Sequence, residues 1–183
     1  KGKIADLVIE GEQIELDKTV LEDVAGPLLH LLRNSVDHGI EPTELRRALG
    51  KPERGAIRLR AYHEATQIVI EVGDDGAGLS AQAIRTAAIA GGHSTAEAAG
   101  EMSEQDLHAL IFEPGFSTAT EISEVSGRGV GMDVVRVAVH RMKGTIAINS
   151  RPGVGTTITI RLPMTLAIVR VLLVRASGET FAV

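Results

Sequence analysis

Stretches of strict apolar and polar alternation are interleaved along this chain with stretches in which apolar residues recur every three to four positions, so strands and helices follow one another. Residues 4–10 alternate and stop at Gly11, which predicts an edge strand. Leu21, Val24, Leu28, Leu31, Leu32 and Val36 then recur at helical spacing until Gly39. Thr19 and Glu22 have the spacing of a capping box for that helix, and Pro27 inside it predicts a kink or a fresh helix start. A short helix over 43–49 and a loop over 50–55 lead to alternating runs at 56–63 and 67–72, which read as a hairpin. Next come a helix over 81–90, a Gly/Ser/Ala-rich stretch, and a helix capped by Ser103 with Asp106 three residues on. Residues 113–131 hold five glycines or prolines and no periodicity; loops of this length inside compact domains are usually lids or disordered. A helix over 132–142 and strands at 145–149 and 156–162 complete the unit, closed by Pro163. Residues 164–183 read as a strand, a Ser177-Gly178 turn and a second, shortened strand.

This order implies an α/β (α+β) two-layer sandwich with one mixed sheet and helices on one face. A chain of 183 residues holds one well-buried domain and at most a fragment of a second. The formal net charge of −5 argues against a nucleic-acid partner, because neutralising backbone phosphates needs a basic surface. The absence of cysteine excludes a disulfide framework and thiolate zinc, and suits a reducing cytoplasm. The most apolar stretch, 166–174, is nine residues long and interrupted by Arg170, too short to insert across a bilayer, and the chain does not open on a basic-apolar signal segment. With aromatics at 2% and no Trp, a nucleobase would be read by hydrogen bonds and aliphatic walls rather than by stacking.

Three places carry candidate chemistry. At about 100° per residue, His30, Asn34 and Asp37 fall on one face of the first helix, opposite Leu28, Leu32 and Val36. Such a face is commonly just solvated, but Asn34 is one of only two asparagines, and a neutral amide oxygen suits Mg²⁺ whose charge is neutralised by phosphates. Asp74-Asp75-Gly76-Ala77-Gly78 directly follows a strand. An Asp-Gly pair there is often an ordinary turn. Alternate glycines also let backbone approach a flat ligand, while a carboxylate accepts strongly from an exocyclic amine such as adenine N6. Gly127-Arg128-Gly129-Val130-Gly131 opens the Met132 helix, and glycines before a helix N-terminus present free amides to an anion. Neither common nucleotide architecture fits. Polar residues 121–126 precede these glycines where a dinucleotide fold needs a buried strand, and the Gly-Lys-Ser/Thr ending of a phosphate loop is missing.

In this order the motifs resemble the GHKL ATPase and histidine-kinase superfamily over nearly all of residues 4–163. The run HLLRNSVDHG, from His30 to Gly39, resembles its N box, and Asp74 to Gly78 its first glycine box. Phe112-Glu113-Pro114-Gly115-Phe116-Ser117-Thr118 resembles the F box, Gly127 to Gly131 the second glycine box, and Gly155-Thr156-Thr157 the last. More narrowly, LLHLLRNSVDHGIE, PGFST and VSGRGVGMDVVR are similar to the CheA-type chemotaxis kinases. The resemblance implies a Bergerat-type fold over 1–163, with 164–183 beginning a truncated receptor-coupling, CheW-like domain. It implies that ATP and Mg²⁺ are the cofactors, that Asn34 ligates the metal, and that His30 and Asn34 act in catalysis. It further implies that Asn34, Asp37, His38, Asp74, Gly76, Gly78, Phe116, Ser117, Gly127, Arg128, Gly129, Val130, Gly131, Met132, Thr156 and Thr157 line the nucleotide site. His30 stands where hydrolytic members carry glutamate, and Ala119 where some members carry lysine, which leaves Arg128 as the better phosphate contact. The acceptor histidine would lie on a separate phosphotransfer domain, with a receptor-coupling protein and a response regulator as further partners. His63, His93, His108 and His140 read as structural or solvated.

Overall fold

The computed structural model describes residues 2–11, 13–116, 131–164, 173–176 and 179–182. In chain order the elements are β1 (Ala5–Glu10), α1 (Lys18–Asn34), a π turn (Ser35–Gly39), α2 (Thr43–Ala48), β2 (Gly55–Glu64) and β3 (Gln67–Asp74). They continue with α3 (Ala81–Ala90), α4 (Ala96–Glu101), α5 (Glu104–Leu110), α6 (Met132–Arg141), β4 (Thr145–Arg151), β5 (Gly155–Pro163), β6 (Leu173–Ala176) and β7 (Glu179–Ala182). The main sheet has the order β1-β2-β3-β5-β4, with β1 parallel to β2 and every other pair antiparallel. β6 and β7 form their own antiparallel pair, Leu173 opposite Ala182.

Period-two alternation and register put the apolar side chains in rows on one face. Leu59, Val72, Ile158 and Ile148 form one row, and Ala61, Ile70, Ile160 and Ile146 the next. Val24 and Leu31 of α1 and Val135 and Val139 of α6 close over them as a single core. Each fully buried aliphatic side chain contributes about 1.5–3 kcal/mol. The other face carries Arg58, Arg60, Tyr62, Glu71 and Arg161. There Arg58 and Arg60 pair with Glu10, and Arg161 with Glu64. Such half-exposed pairs contribute roughly 0–1 kcal/mol each and need no helical cover. The result is the two-layer α+β sandwich with helices on one face.

Three local expectations are corrected. The N-cap of α1 is Asp17, whose carboxylate accepts the Thr19 amide at 2.8 Å, so the Thr19 and Glu22 spacing is not the cap. A carboxylate at the helix start also meets the positive end of the dipole. α1 makes no fresh start at Pro27 but continues through it, because Val24 and Leu31, buried on either side of it, hold the helix on the sheet despite one missing backbone hydrogen bond. Within the Gly/Ser/Ala-rich stretch lies α4, started by Thr95, whose hydroxyl accepts the Ala98 amide at 3.2 Å, and anchored by the fully buried Ala99. Ser103 caps α5 reciprocally with Asp106, as its spacing predicts.

Candidate functional site

The apolar rows of the sheet end in a polar one. Asp74 at the end of β3 lies opposite Thr156 of β5, which lies opposite Ser150 of β4, all on the helix-facing side. The buried Ser150 hydroxyl donates to Gly155 O at 3.0 Å, accepts the Leu79 amide at 2.9 Å and meets Thr156 Oγ1 at 2.8 Å, so it staples three segments together. Thr157 alternates to the opposite face, against Gly73, and so is not on Asp74's side of the sheet. That corrects its expected place in the site, and period-two alternation is the reason.

The Asp74 carboxyl is enclosed by backbone. A Cβ on Gly39 would stand 2.7 Å from Asp74 Oδ2, and one on Gly76 would stand 2.0 Å from Gly39 O. Neither approach admits a side chain. Gly76 donates its amide to Asp74 Oδ1 at 3.0 Å, and Ala77 donates to Gly39 O at 2.9 Å. Gly78 takes φ of +68°, with Arg151 O 2.1 Å from where its Cβ would be. Burial pushes the Asp74 carboxyl above its ordinary pKa, against the pull of the Gly76 amide, the Ser35 hydroxyl and the Thr156 amide. Ser35 is buried and directly follows Asn34, so the Asp74 pocket adjoins the end of α1.

There α1 meets the start of α6. Asn34 is the last residue of α1 and donates Nδ2 to Met132 Sδ at 3.2 Å, which turns its amide oxygen away from that contact. His30 lies one turn earlier and is half-buried. Burial lowers its pKa most, Arg33 and His38 lower it further, and Asp133 of α6 opposes them. Gly131 gives α6 no side-chain cap, so among the described residues the leading amides of that helix have no such partner. The expected three-residue face becomes a two-residue one. A π turn advances each residue by less than an α-helix does, so Asp37 falls behind His30 and Asn34 and lines an exposed groove with Leu29, Leu32, Arg33 and Val36. His38, in the same turn, is exposed.

Phe116 is half-buried and packs edge-on against His93, ring centroids 5.4 Å apart. Glu113 accepts from Arg136 of α6 at 2.7 Å, tying the segment after α5 to that helix. Ser117, Gly127, Arg128, Gly129 and Val130 lie outside the described residues, as do Thr118 and Ala119. His63 and His140 are exposed and His108 is buried in α5.

Sequence reasoning missed a cluster of four charged residues beneath the Asp74 loop. Arg46 of α2, with no exposed side-chain surface, pairs with Glu41 and Asp75 at 2.8 Å each, and Lys51 pairs with Glu41 at 2.7 Å. By residue type all four read as surface groups. The only local signal is Asp75, adjacent to the candidate Asp74.

The chain is 50% identical over 182 residues to the sensor histidine kinase CheAY of Helicobacter pylori, covering 100% of this chain and 23% of that protein. It is 48% identical over 183 residues to the chemotaxis protein CheA of Halobacterium salinarum, covering 100% of this chain and 27% of that protein. The chain therefore spans about a quarter of the length of these curated relatives. The catalytic domain of histidine kinase ThkA superposes with a TM-score of 0.54 at 18% identity, over 87% of this chain and 79% of that one, a likeness of fold. The family model of histidine kinase-, DNA gyrase B- and HSP90-like ATPases matches residues 23–166, from α1 through the last strand of the main sheet, and the chain belongs to that family.

Proposed function

We propose that this chain is the ATP-binding catalytic domain of a chemotaxis-type protein-histidine kinase, which transfers the γ-phosphoryl group of ATP to a histidine on a separate phosphotransfer domain. The observation that carries the reading is the continuity of the two polar sites. Asp74, set among Gly39 and Gly76, adjoins through Ser35 the junction of α1 and α6, where Asn34 and His30 stand. In this reading Asp74 accepts the adenine amine, with Gly76, Gly78 and Thr156 as the wall of that pocket. Gly131 and Met132 place the leading amides of α6 toward the phosphates, and the reading also assigns nucleotide contacts to Phe116, Ser117, Gly127, Arg128, Gly129 and Val130. The donor set suits Mg²⁺. Asn34 offers a neutral amide oxygen that would hold it, a hard ligand of the kind Mg²⁺ takes alongside phosphate oxygens and water. When bound, Mg²⁺ supplies neutralisation of charge on the β- and γ-phosphates. Asn34 would hold it, and the reading assigns Asp37 and His38 to the nucleotide site as well. His30, whose pKa burial lowers, orients or deprotonates the incoming acceptor imidazole.

The reading extends to a receptor-coupling protein and a response regulator as further partners, a cytoplasmic setting, and residues 164–183 as the start of the coupling domain; the names of the relatives support a chemotaxis setting. Among the described residues no helix is long and apolar enough to cross a membrane. The test uses labelled ATP and an added phosphotransfer domain. Asn34→Ala should impair Mg-dependent nucleotide binding and transfer together. His30→Ala should leave nucleotide affinity within a few-fold and cut transfer by about a hundred-fold or more. Rapid ATP hydrolysis without any acceptor would replace the kinase reading with a hydrolase.

A further inference from the structure

The four charged residues beneath the Asp74 loop are bonded to saturation. Arg46 donates Nε to Pro52 O at 2.7 Å, Nη1 to Glu41 Oε2 at 2.8 Å and to Asp75 O at 3.3 Å, and Nη2 to Asp75 Oδ2 at 2.8 Å and to Arg54 O at 3.5 Å. Lys51 Nζ donates to Glu41 Oε1 at 2.7 Å, Asp75 O at 2.9 Å and Gly76 O at 2.7 Å. A guanidinium has five N–H groups and an ammonium three, and here every one has an acceptor. The two cations and two carboxylates cancel, so the group tolerates burial in which Arg46 has no exposed side-chain surface and Glu41 only 4%.

Well-packed apolar residues of similar volume could stabilise such a position equally well, but they could not grip carbonyl oxygens. Besides those of Pro52 and Arg54, the carbonyls gripped belong to Asp75 and Gly76, the two residues that follow Asp74. Asp75 Oδ1 also accepts the Ala56 amide at 2.9 Å, tying the same loop to β2. With those carbonyls fixed, neither peptide plane can rotate, and the Gly76 amide stays aimed at Asp74 Oδ1. One carboxylate oxygen is thereby committed inward, and the other is presented in a fixed direction.

We propose that Glu41, Arg46, Lys51 and Asp75 are positioning residues that set the base selectivity of the nucleotide pocket by locking the orientation of the Asp74 carboxylate. The proposal rests on the assignment of Asp74 to the adenine amine. A fixed carboxylate oxygen rewards the exocyclic donor of adenine and opposes the carbonyl of guanine, whereas a loop free to rotate lets Asp74 swing away from either. Selectivity, and not fold stability alone, should therefore depend on residues that never touch the nucleotide.

The experiment measures dissociation constants for Mg-ATP and Mg-GTP by calorimetry on the whole chain, together with thermal melts. Lys51→Met should weaken ATP binding by about ten-fold and lower the ATP-over-GTP preference by about five-fold or more. Arg46→Lys keeps the charge but not the fork and should shift the preference in the same direction. It decides the matter if Lys51→Met does not fold. Ile160→Val, a truncation in the middle of the core, should lower the melting temperature and leave the preference unchanged. Asp74→Ala is run beside them. If it abolishes the preference while Lys51→Met and Arg46→Lys keep it within two-fold, the positioning role is overturned and the adenine assignment stands. If Asp74→Ala leaves the preference intact, the adenine assignment fails and the positioning role fails with it. A preference that falls equally in Ile160→Val would also overturn the proposal, since selectivity would then merely follow stability.

Discussion

Replacing Asp74 with asparagine separates binding from stability at one atom. Asp74 Oδ1 accepts the Gly76 amide at 3.0 Å, the Ser35 hydroxyl and the Thr156 amide also bear on the carboxyl, and in the proposed pose the adenine amine takes acceptor capacity on the other oxygen. Asparagine has the same shape but only one acceptor oxygen. If that oxygen takes the Gly76 amide, an NH₂ group faces the adenine amine; if the amide flips, the NH₂ group faces the Gly76 amide. Donor meets donor either way. The charged hydrogen bond lost is worth about 1.5–3 kcal/mol and the unpaired donor about 1 kcal/mol more, so affinity should fall by roughly a hundred-fold. Stability moves the opposite way. Burial raises the Asp74 pKa above its ordinary 3.8, so the fold favours the protonated carboxyl. Its contribution is fully present below pH 3.8 and is lost as pH rises through the raised value. At pH 7 the ionised group is therefore a burden that Asp74→Asn removes, and the nucleotide-free variant should melt higher than the parent at pH 7, by a margin that shrinks toward pH 4. Calorimetry with Mg-ATP and melts across that range check both halves. ATP affinity retained within a few-fold, or a variant that melts lower at pH 7, would refute the reasoning.

Three further outcomes follow from the geometry. Gly76→Ala places a methyl group 2.0 Å from Gly39 O, so the loop must move; nucleotide binding should be lost and chemical denaturation should show a loss of about 1–3 kcal/mol. Because burial depresses the His30 pKa below 6.5, its neutral form persists to lower pH, and the acid limb that His30→Ala removes should have its midpoint below 6.5, the acceptor imidazole's own limb remaining. A midpoint above that value would exclude His30 as the proton acceptor. Leu162→Ala, at a core site 1% exposed, should cost about 2–5 kcal/mol in urea denaturation with an unchanged ATP-over-GTP preference.

Much of this molecule was legible because its signals are local. Alternation located β2, β3, β4 and β5 to within a residue or two, since each strand has one apolar and one polar face. The Ser103 and Asp106 spacing marked the start of α5, because a capping box is made within four consecutive residues. The glycines at 76 and 78 read as letting backbone approach a flat ligand, whereas the close approaches seen are to protein backbone, Gly39 O and Arg151 O. Likewise, the helical spacing of His30 and Asn34 brought both to the same junction.

What the chain alone did not reveal depends on partners distant in sequence. Strand order is one such case: β1 joins the sheet edge in parallel with β2 across α1 and α2, and β5 rather than β4 is inserted beside β3. The π turn is another, and it moves Asp37 out of line with His30 by a change in local winding that residue spacing does not encode. Thr157 looked equivalent to Thr156 until register assigned them to opposite faces. The clearest case is Arg46. By residue type it belongs in water, and only the assembled fold surrounds it with Glu41, Asp75 and the carbonyls of Pro52 and Arg54. Periodicity, caps and turns are properties of a few consecutive residues and are written in the sequence; the burial of a charge is decided by which groups tertiary folding brings to meet it.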